Sequence, residues 1–144
     1  MTKDVSVVIV TRNREKLLQR CLKSLNKEAG SIREIIVVNN GSTQIPVIKL
    51  KKIKCFIIIK TPKNVGVAAG RNIGITKSKG KYIIFLDDDV VIKSFNLNKI
   101  MSYMENNINV GIVGPKLLNN NGKIQESARS FPTLLSILWR GTFL

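Results

Sequence analysis

Short β-branched runs recur along this chain, each ended by a polar turn and followed by residues at helical spacing, and that alternation leaves few folds open. Val5 to Val10 reads as a strand buried on both faces, and Thr11-Arg12-Asn13 ends it. Leu17, Leu18, Cys21, Leu22 and Leu25 then recur as one face of a helix. Ile35 to Val38 predicts a second strand that empties into Asn39-Asn40-Gly41-Ser42, a cluster that favours a turn. Cys55 to Ile59, Tyr82 to Leu86 and Val110 to Val113 predict three more strands, the last closed by Gly114-Pro115. Between them, the glycine-punctuated stretch from Asn64 to Asn72 opens a helix whose small residues allow close packing on a sheet. Leu97, Ile100, Met101 and Met104 mark another helix, Asn119 to Gly122 a hairpin turn, and Thr133 to Phe143 an apolar helix that either joins a larger core or docks on a membrane surface. Strands alternating with helices imply right-handed crossovers and a doubly wound, mostly parallel α/β sheet. Ligands of such a sheet belong at the carboxyl ends of its strands, where the polar clusters after the first, second and fourth strands converge.

The 144 residues, 44% of them hydrophobic, suffice for one sizeable core but not for two domains of ordinary size. A formal net charge of +15 favours anionic partners such as nucleotides, phosphorylated lipids or an acidic membrane face. The excess lies in scattered lysines, densest at Lys49, Lys51, Lys52 and Lys54, and the few aromatic residues are not interleaved with them as a nucleic-acid platform requires. Nucleic acid is therefore not an expected partner. Cys21 and Cys55 stand far apart with no metal-ligand spacing, and the chain has no histidine to complete a zinc site. Met1 leads directly into the first strand, and no apolar run is long enough to span a membrane. The expected location is cytoplasmic, with peripheral association at an anionic inner membrane face left open.

Asp87, Asp88 and Asp89 directly follow the apolar run Tyr82 to Leu86 in a chain that has only nine acidic residues. Like charges gathered so closely repel unless a cation joins them. Carboxylate oxygens suit Mg²⁺ or Mn²⁺, ions that keep several waters while linking one or two carboxylates to substrate phosphates. A solvated acidic turn is the alternative. Arg12 and Arg71 lie in neighbouring segments and could meet phosphate. Gly66-x-x-x-Gly70 matches neither the P-loop nor the dinucleotide fingerprint, and serves helix packing as readily as phosphate contact.

Four blocks, Val-Ser-Val-Val-Ile-Val-Thr-Arg-Asn from Val5, Ile-Ile-Val-Val-Asn-Asn-Gly-Ser-Thr from Ile35, Asn-Val-Gly-Val-Ala-Ala-Gly-Arg-Asn from Asn64 and Phe-Leu-Asp-Asp-Asp-Val from Phe85, resemble family 2 glycosyltransferases in order and spacing. The segment from Val113 to Pro132 is similar to the rhamnosyltransferase-like branch. The resemblance implies a Rossmann-like GT-A fold, with a nucleotide-sugar-binding core over residues 4–116 and the start of an acceptor-side region over 117–144. By that resemblance Thr11, Arg12 and Asn13 meet nucleobase and ribose, and Asn39, Gly41, Asn64, Gly66 and Arg71 line the nucleotide pocket. Asp88 contacts the nucleotide sugar, Asp89 holds Mg²⁺ or Mn²⁺, and Asp87 supports either. The implied donor is a UDP- or dTDP-linked sugar, and the implied acceptor is a saccharide or lipid-linked hydroxyl in cell-surface polysaccharide synthesis.

Two departures from the family pattern stand out. Where the family has Asp-Asn-Gly-Ser-x-Asp, this chain has Asn39-Asn40-Gly41-Ser42-Thr43-Gln44, so both carboxylates are amides and the contact to the base is expected to weaken. The family's catalytic base, an Asp or Glu, matches no position here and is expected beyond Leu144. A nucleotide-sugar-binding module without turnover is thus a second reading. A nucleotidyltransferase is a third, although Thr11-Arg12-Asn13-Arg14 lacks the glycines that its phosphate loop needs.

Overall fold

The computed structural model of the chain describes residues 4–25, 29–45, 50, 53, 55–93, 96–126 and 133. It divides into two compact units, residues 1–109 and residues 110–144. In the first unit strands β1 (Val5–Thr11), β2 (Ile32–Asn39), β3 (Phe56–Lys60) and β4 (Tyr82–Phe85) form one sheet, with helices α1 (Glu15–Leu25), α2 (Gly66–Lys77) and α3 (Leu97–Asn106). The sheet order is β3-β2-β1-β4, and every pairing is parallel. This is the α/β, mostly parallel sheet that the strand and helix pattern predicts.

The β-branched runs of β1 and β2 form central strands because both of their faces are covered. On one face Val5, Val7, Ile9, Ile35 and Val37 pack with Leu18, Cys21, Leu22 and Leu25 of α1 and Leu97 of α3. On the other, Val8, Ile36 and Val38 pack with Val10, Ile57, Ile59 and Ile73 of α2. Burying a side chain of this size contributes about 1.5–3 kcal/mol, so these two strands hold most of the apolar stabilisation.

Helix α2 approaches β1 through glycine. A Cβ on Gly70 would lie 2.8 Å from Val10 Cγ1, and one on Gly74 would lie 2.3 Å from Val8 Cγ1. The small-residue packing expected for this helix is therefore present, and it seats α2 directly over the strand that ends in Thr11.

At the amino ends of the strands, Glu34 is buried and its Oε1 accepts from Ser6 Oγ at 2.7 Å and from Lys79 N–H at 2.6 Å. Ser6 Oγ in turn accepts from Gly80 N–H at 2.8 Å, so one carboxylate ties β1, β2 and the corner entering β4 together.

The expected fifth strand over Val110–Val113 does not form: residues 110–117 carry no strand pairing, and Ile112 is 91% exposed. An apolar run becomes a strand only when a neighbour accepts its ladder bonds, and none does so among the described residues. Within the second unit the hairpin turn expected at Asn119–Gly122 is present. Leu118 and Ile124 form an antiparallel bridge, and Gly122 takes the left-handed φ of 80° that closes it. Apart from Thr133, the apolar helix expected over Thr133–Phe143 lies outside the described residues. No helix among them is long and apolar enough to cross a membrane.

Candidate functional site

The chain reverses its direction of travel across the sheet between β1 and β4: β2 and β3 lie to one side of β1, and β4 to the other. The loops leaving the two adjacent carboxyl ends diverge at such a switch point, which opens a crevice. A cleft of about 600 Å³ lies there, lined by Thr11, Arg12, Asn13, Arg14, Asn40, Asn64, Gly66 and the three aspartates, with Val10 and Val67 as its apolar members.

The loop between β1 and α1 forms one wall. Asn13 adopts the left-handed φ of 54°, and its Oδ1 accepts from Ser42 N–H at 3.0 Å, with a longer contact to the Thr43 amide at 3.4 Å. Short polar side chains tolerate that conformation because they can bond locally. Gly41 is required for this approach, since a Cβ there would fall 2.2 Å from Asn13 Oδ1. Thr43 Oγ1 also donates to Glu15, and that bond holds the Glu15 carboxyl below its usual range.

The aspartate run adjoins this loop and begins just after β4 and Leu86. Leu86 N–H donates to Val8 O at 3.1 Å, and Val90 N–H closes a turn on Asp87 O at 3.2 Å. Asp88 is buried, and its Oδ2 accepts from Thr11 Oγ1 at 2.6 Å. Arg14 stands between its neighbours: Nη1 lies 3.5 Å from Asp88 Oδ1 and 3.6 Å from Asp89 Oδ2, while Asp89 is half exposed to solvent. Asp87 pairs with Arg71, Nη2 to Oδ1 at 3.0 Å, and the same guanidinium lies 5.6 Å from the centre of the Phe85 ring. Beneath the run, burial and then the three aspartate charges push the Cys21 thiol up to about 12, so it stays protonated and donates towards Asp87 O at 3.6 Å.

The floor is built from amides. Asn40 Nδ2 donates to Asn64 Oδ1 at 2.8 Å and to Gly66 O at 3.1 Å, while its Oδ1 accepts from Thr61 Oγ1 at 3.0 Å and Val65 N–H at 2.9 Å. Gly66 starts α2 at a φ of 82°, a conformation that other residues reach only with strain.

Of the residues singled out from the sequence, Thr11, Arg12, Asn13, Asn64, Gly66, Asp87, Asp88 and Asp89 line this one cleft. Asn39, Gly41 and Arg71 are not among its lining residues. Asn39 is turned into its own loop, where Nδ2 donates to Thr43 O at 2.8 Å and Oδ1 accepts from Gly41 N–H at 3.0 Å. Sequence reasoning missed Arg14 and Asn40. Arg14 follows Arg12 by two positions, and no spacing rule separates them; only their geometry does.

Whether a divalent cation suits these residues can be judged from the contact that Arg14 makes. One nitrogen reaches an oxygen of each of Asp88 and Asp89, so a single positive centre can serve both carboxylates. Two hard carboxylates with room for water and phosphate are the donor set that Mg²⁺ and Mn²⁺ accept. No cluster of three or more acidic, histidine or cysteine side chains arranged to hold a metal occurs among the described residues.

Comparison with known proteins gives a consistent picture. The family model described as glycosyl transferase family 2 matches residues 6–140. A Rickettsia bellii (strain RML369-C) protein named as a glycosyltransferase is 36% identical over 129 residues, covering 88% of this chain and 19% of that protein. A Haemophilus influenzae glycosyltransferase is 39% identical over 111 residues, covering 72% of this chain and 43% of its own length. This chain thus spans less than half the length of either relative. Among solved structures, S. aureus TarS 1-349 superposes with a TM-score of 0.59 at 23% identity, over 72% of this chain and 32% of that one, which is a likeness of fold.

Proposed function

The chain belongs to glycosyltransferase family 2, and from that membership we propose that its cleft holds the diphosphate and sugar of a nucleoside-diphosphate sugar for transfer to an acceptor hydroxyl with inversion. The observation that carries this reading is the pairing of Asp88 and Asp89 about one cationic centre at the switch point of the sheet. In that reaction the acceptor oxygen bonds to the anomeric carbon as the bond from that carbon to phosphate breaks. The electron pair leaves on the diphosphate, and the hydroxyl proton passes to a carboxylate base outside the described residues.

This chain's own residues bind and orient. Thr11 fixes the Asp88 carboxylate through its hydroxyl, and the Asn40 network fixes the loop carrying Asn64 and Gly66 against β2. Arg12 and Arg14 supply positive charge on the same wall for an anionic ligand. Asp89, with Asp88 beside it, would hold Mg²⁺ or Mn²⁺, which supplies positive charge against the departing diphosphate. UDP and dTDP are the donor nucleotides proposed, and a saccharide or lipid-linked hydroxyl in polysaccharide synthesis is the acceptor class.

A calorimetric titration of the chain with UDP and with dTDP in the presence of Mn²⁺ tests the reading. Wild type binds, and Asp89→Ala loses at least about tenfold in affinity while keeping its circular dichroism spectrum. In a longer chain carrying the acceptor side, the same substitution lowers transfer by about 100- to 1,000-fold, the usual effect of deleting one element that stabilises developing charge. Wild-type binding by Asp89→Ala overturns the assignment. Among the described residues that line the cleft, Asp87–Asp89 supply the only carboxylates, which favours a second reading in which this chain binds a nucleotide sugar without turning it over. Binding with neither transfer nor hydrolysis by the chain alone is its signature.

A further inference from the structure

Arg14 lies between the two carboxylates that the proposed function assigns to the metal, and its own place in the chain is fixed. Its carbonyl accepts from Leu18 N–H at 3.0 Å in the first turn of α1, and the preceding Asn13 is clamped to the 41–43 turn. The guanidinium therefore pivots from a rigid base. Its contacts at 3.5 and 3.6 Å are longer than the 2.7–2.9 Å typical of a charge-assisted hydrogen bond, and its side chain is 55% exposed. Arg71 contrasts with it: it makes a single closer contact at 3.0 Å to Asp87 and rests beside Phe85. Arg14 has two weak contacts, a solvent-facing side chain and a position on the cleft wall. Such an arrangement neutralises a carboxylate pair while leaving the guanidinium free to move.

We propose that Arg14 is an exchangeable counter-ion: it occupies the position between Asp88 and Asp89 in the ligand-free chain, gives it up when a divalent cation arrives, and then pairs with the diphosphate that the cation brings. The proposal rests on the functional reading above and adds to it a residue that couples the two ligands by contacting each in turn. Metal alone must displace a cation, so it binds weakly. Metal together with a nucleoside diphosphate offers the displaced guanidinium a new anionic partner, so the two bind together.

This predicts effects of opposite sign from one substitution. In Arg14→Gln, Mn²⁺ added alone, followed by calorimetry and by loss of the free-ion signal in electron paramagnetic resonance, binds about tenfold more tightly than in wild type, because a competing cation is gone. UDP added at saturating Mn²⁺ binds about tenfold more weakly, because a phosphate partner is gone. Arg14→Lys restores part of both effects. A residue that merely supported the loop would weaken both ligands together, and that result, or unchanged Mn²⁺ affinity, overturns the exchange. If wild type itself takes up no Mn²⁺ even with UDP present, the metal reading of Asp88 and Asp89 falls and the exchange falls with it. Mn²⁺ uptake by wild type with an unmoved Arg14→Gln removes the exchange alone.

Discussion

Asn40 makes four hydrogen bonds from a buried side chain, two given by its nitrogen and two received by its oxygen. Only an amide carries that division of donors and acceptors. An aspartate there would set oxygen against Asn64 Oδ1 and Gly66 O, which now lie 2.8 and 3.1 Å from Nδ2. Asn40 itself is buried, and a buried polar side chain that loses a partner costs about 1–3 kcal/mol, with two bonds lost here. Asn40→Asp is therefore expected to lower the unfolding free energy by about 2–4 kcal/mol in urea titrations and to weaken UDP binding by loosening the Asn64–Gly66 wall. Stability equal to wild type would mean that the network is not formed. Asn39 obeys the same logic, since its amide donates to Thr43 O where a carboxylate could not. Both asparagines are legible in the sequence as turn formers. Their separate duties are not, because the partners of Asn40 lie 21 to 26 positions away and nothing local announces them.

Among the elements, α2 is the one whose sequence most directly states its packing. Glycine within a helix costs about 1 kcal/mol relative to alanine, so an exposed Gly→Ala change stabilises. At Gly74 the sign reverses, because the added Cβ would meet Val8 Cγ1 at 2.3 Å and a packed strand cannot yield without strain costing about 1–3 kcal/mol. Gly74→Ala is expected to destabilise by about 1–2 kcal/mol, and pairing it with Val8→Ala recovers part of that loss in a double-mutant cycle. A neutral or stabilising Gly74→Ala would show that α2 sits further from the sheet. Close packing through Gly70 is legible in the small residues from Asn64 to Asn72, whereas Gly74 lies beyond that stretch and its contact with Val8 is not. The strand expected at Val110–Val113 could not be corrected by the same means, because an apolar run carries no information about whether a neighbouring edge is there to pair with it.

At the scale of the whole molecule the strand ends divide the work. The carboxyl ends carry the cleft, and the amino ends carry the Glu34 junction that ties β1, β2 and the corner before β4. Glu34→Gln keeps the shape but replaces charge-assisted bonds at 2.6 and 2.7 Å with weaker ones, so it is expected to cost about 1.5–3 kcal/mol of stability. Its effect on Mn²⁺ and UDP affinity should be within a factor of two or so, measured at a temperature where the variant is still folded. A large loss of affinity would show that the two ends are coupled. The doubly wound sheet and the acidic run at its carboxyl ends are legible from pattern alone, because strand polarity follows from alternation with helices. The reach of Arg14 is not legible, because it depends on a loop conformation set by Asn13 at a φ of 54°.

Thr11 and Asp88 are bonded to each other across 77 positions of sequence, one at the end of the first strand to be made and the other just after the last. A partly folded chain holding β1, α1 and β2 has every apolar reason to exist and no cleft at all. A ligand can therefore recognise only the finished sheet. A nucleotide bound in the proposed site would act as a lock on the native state, slowing its loss and doing nothing to hasten its formation.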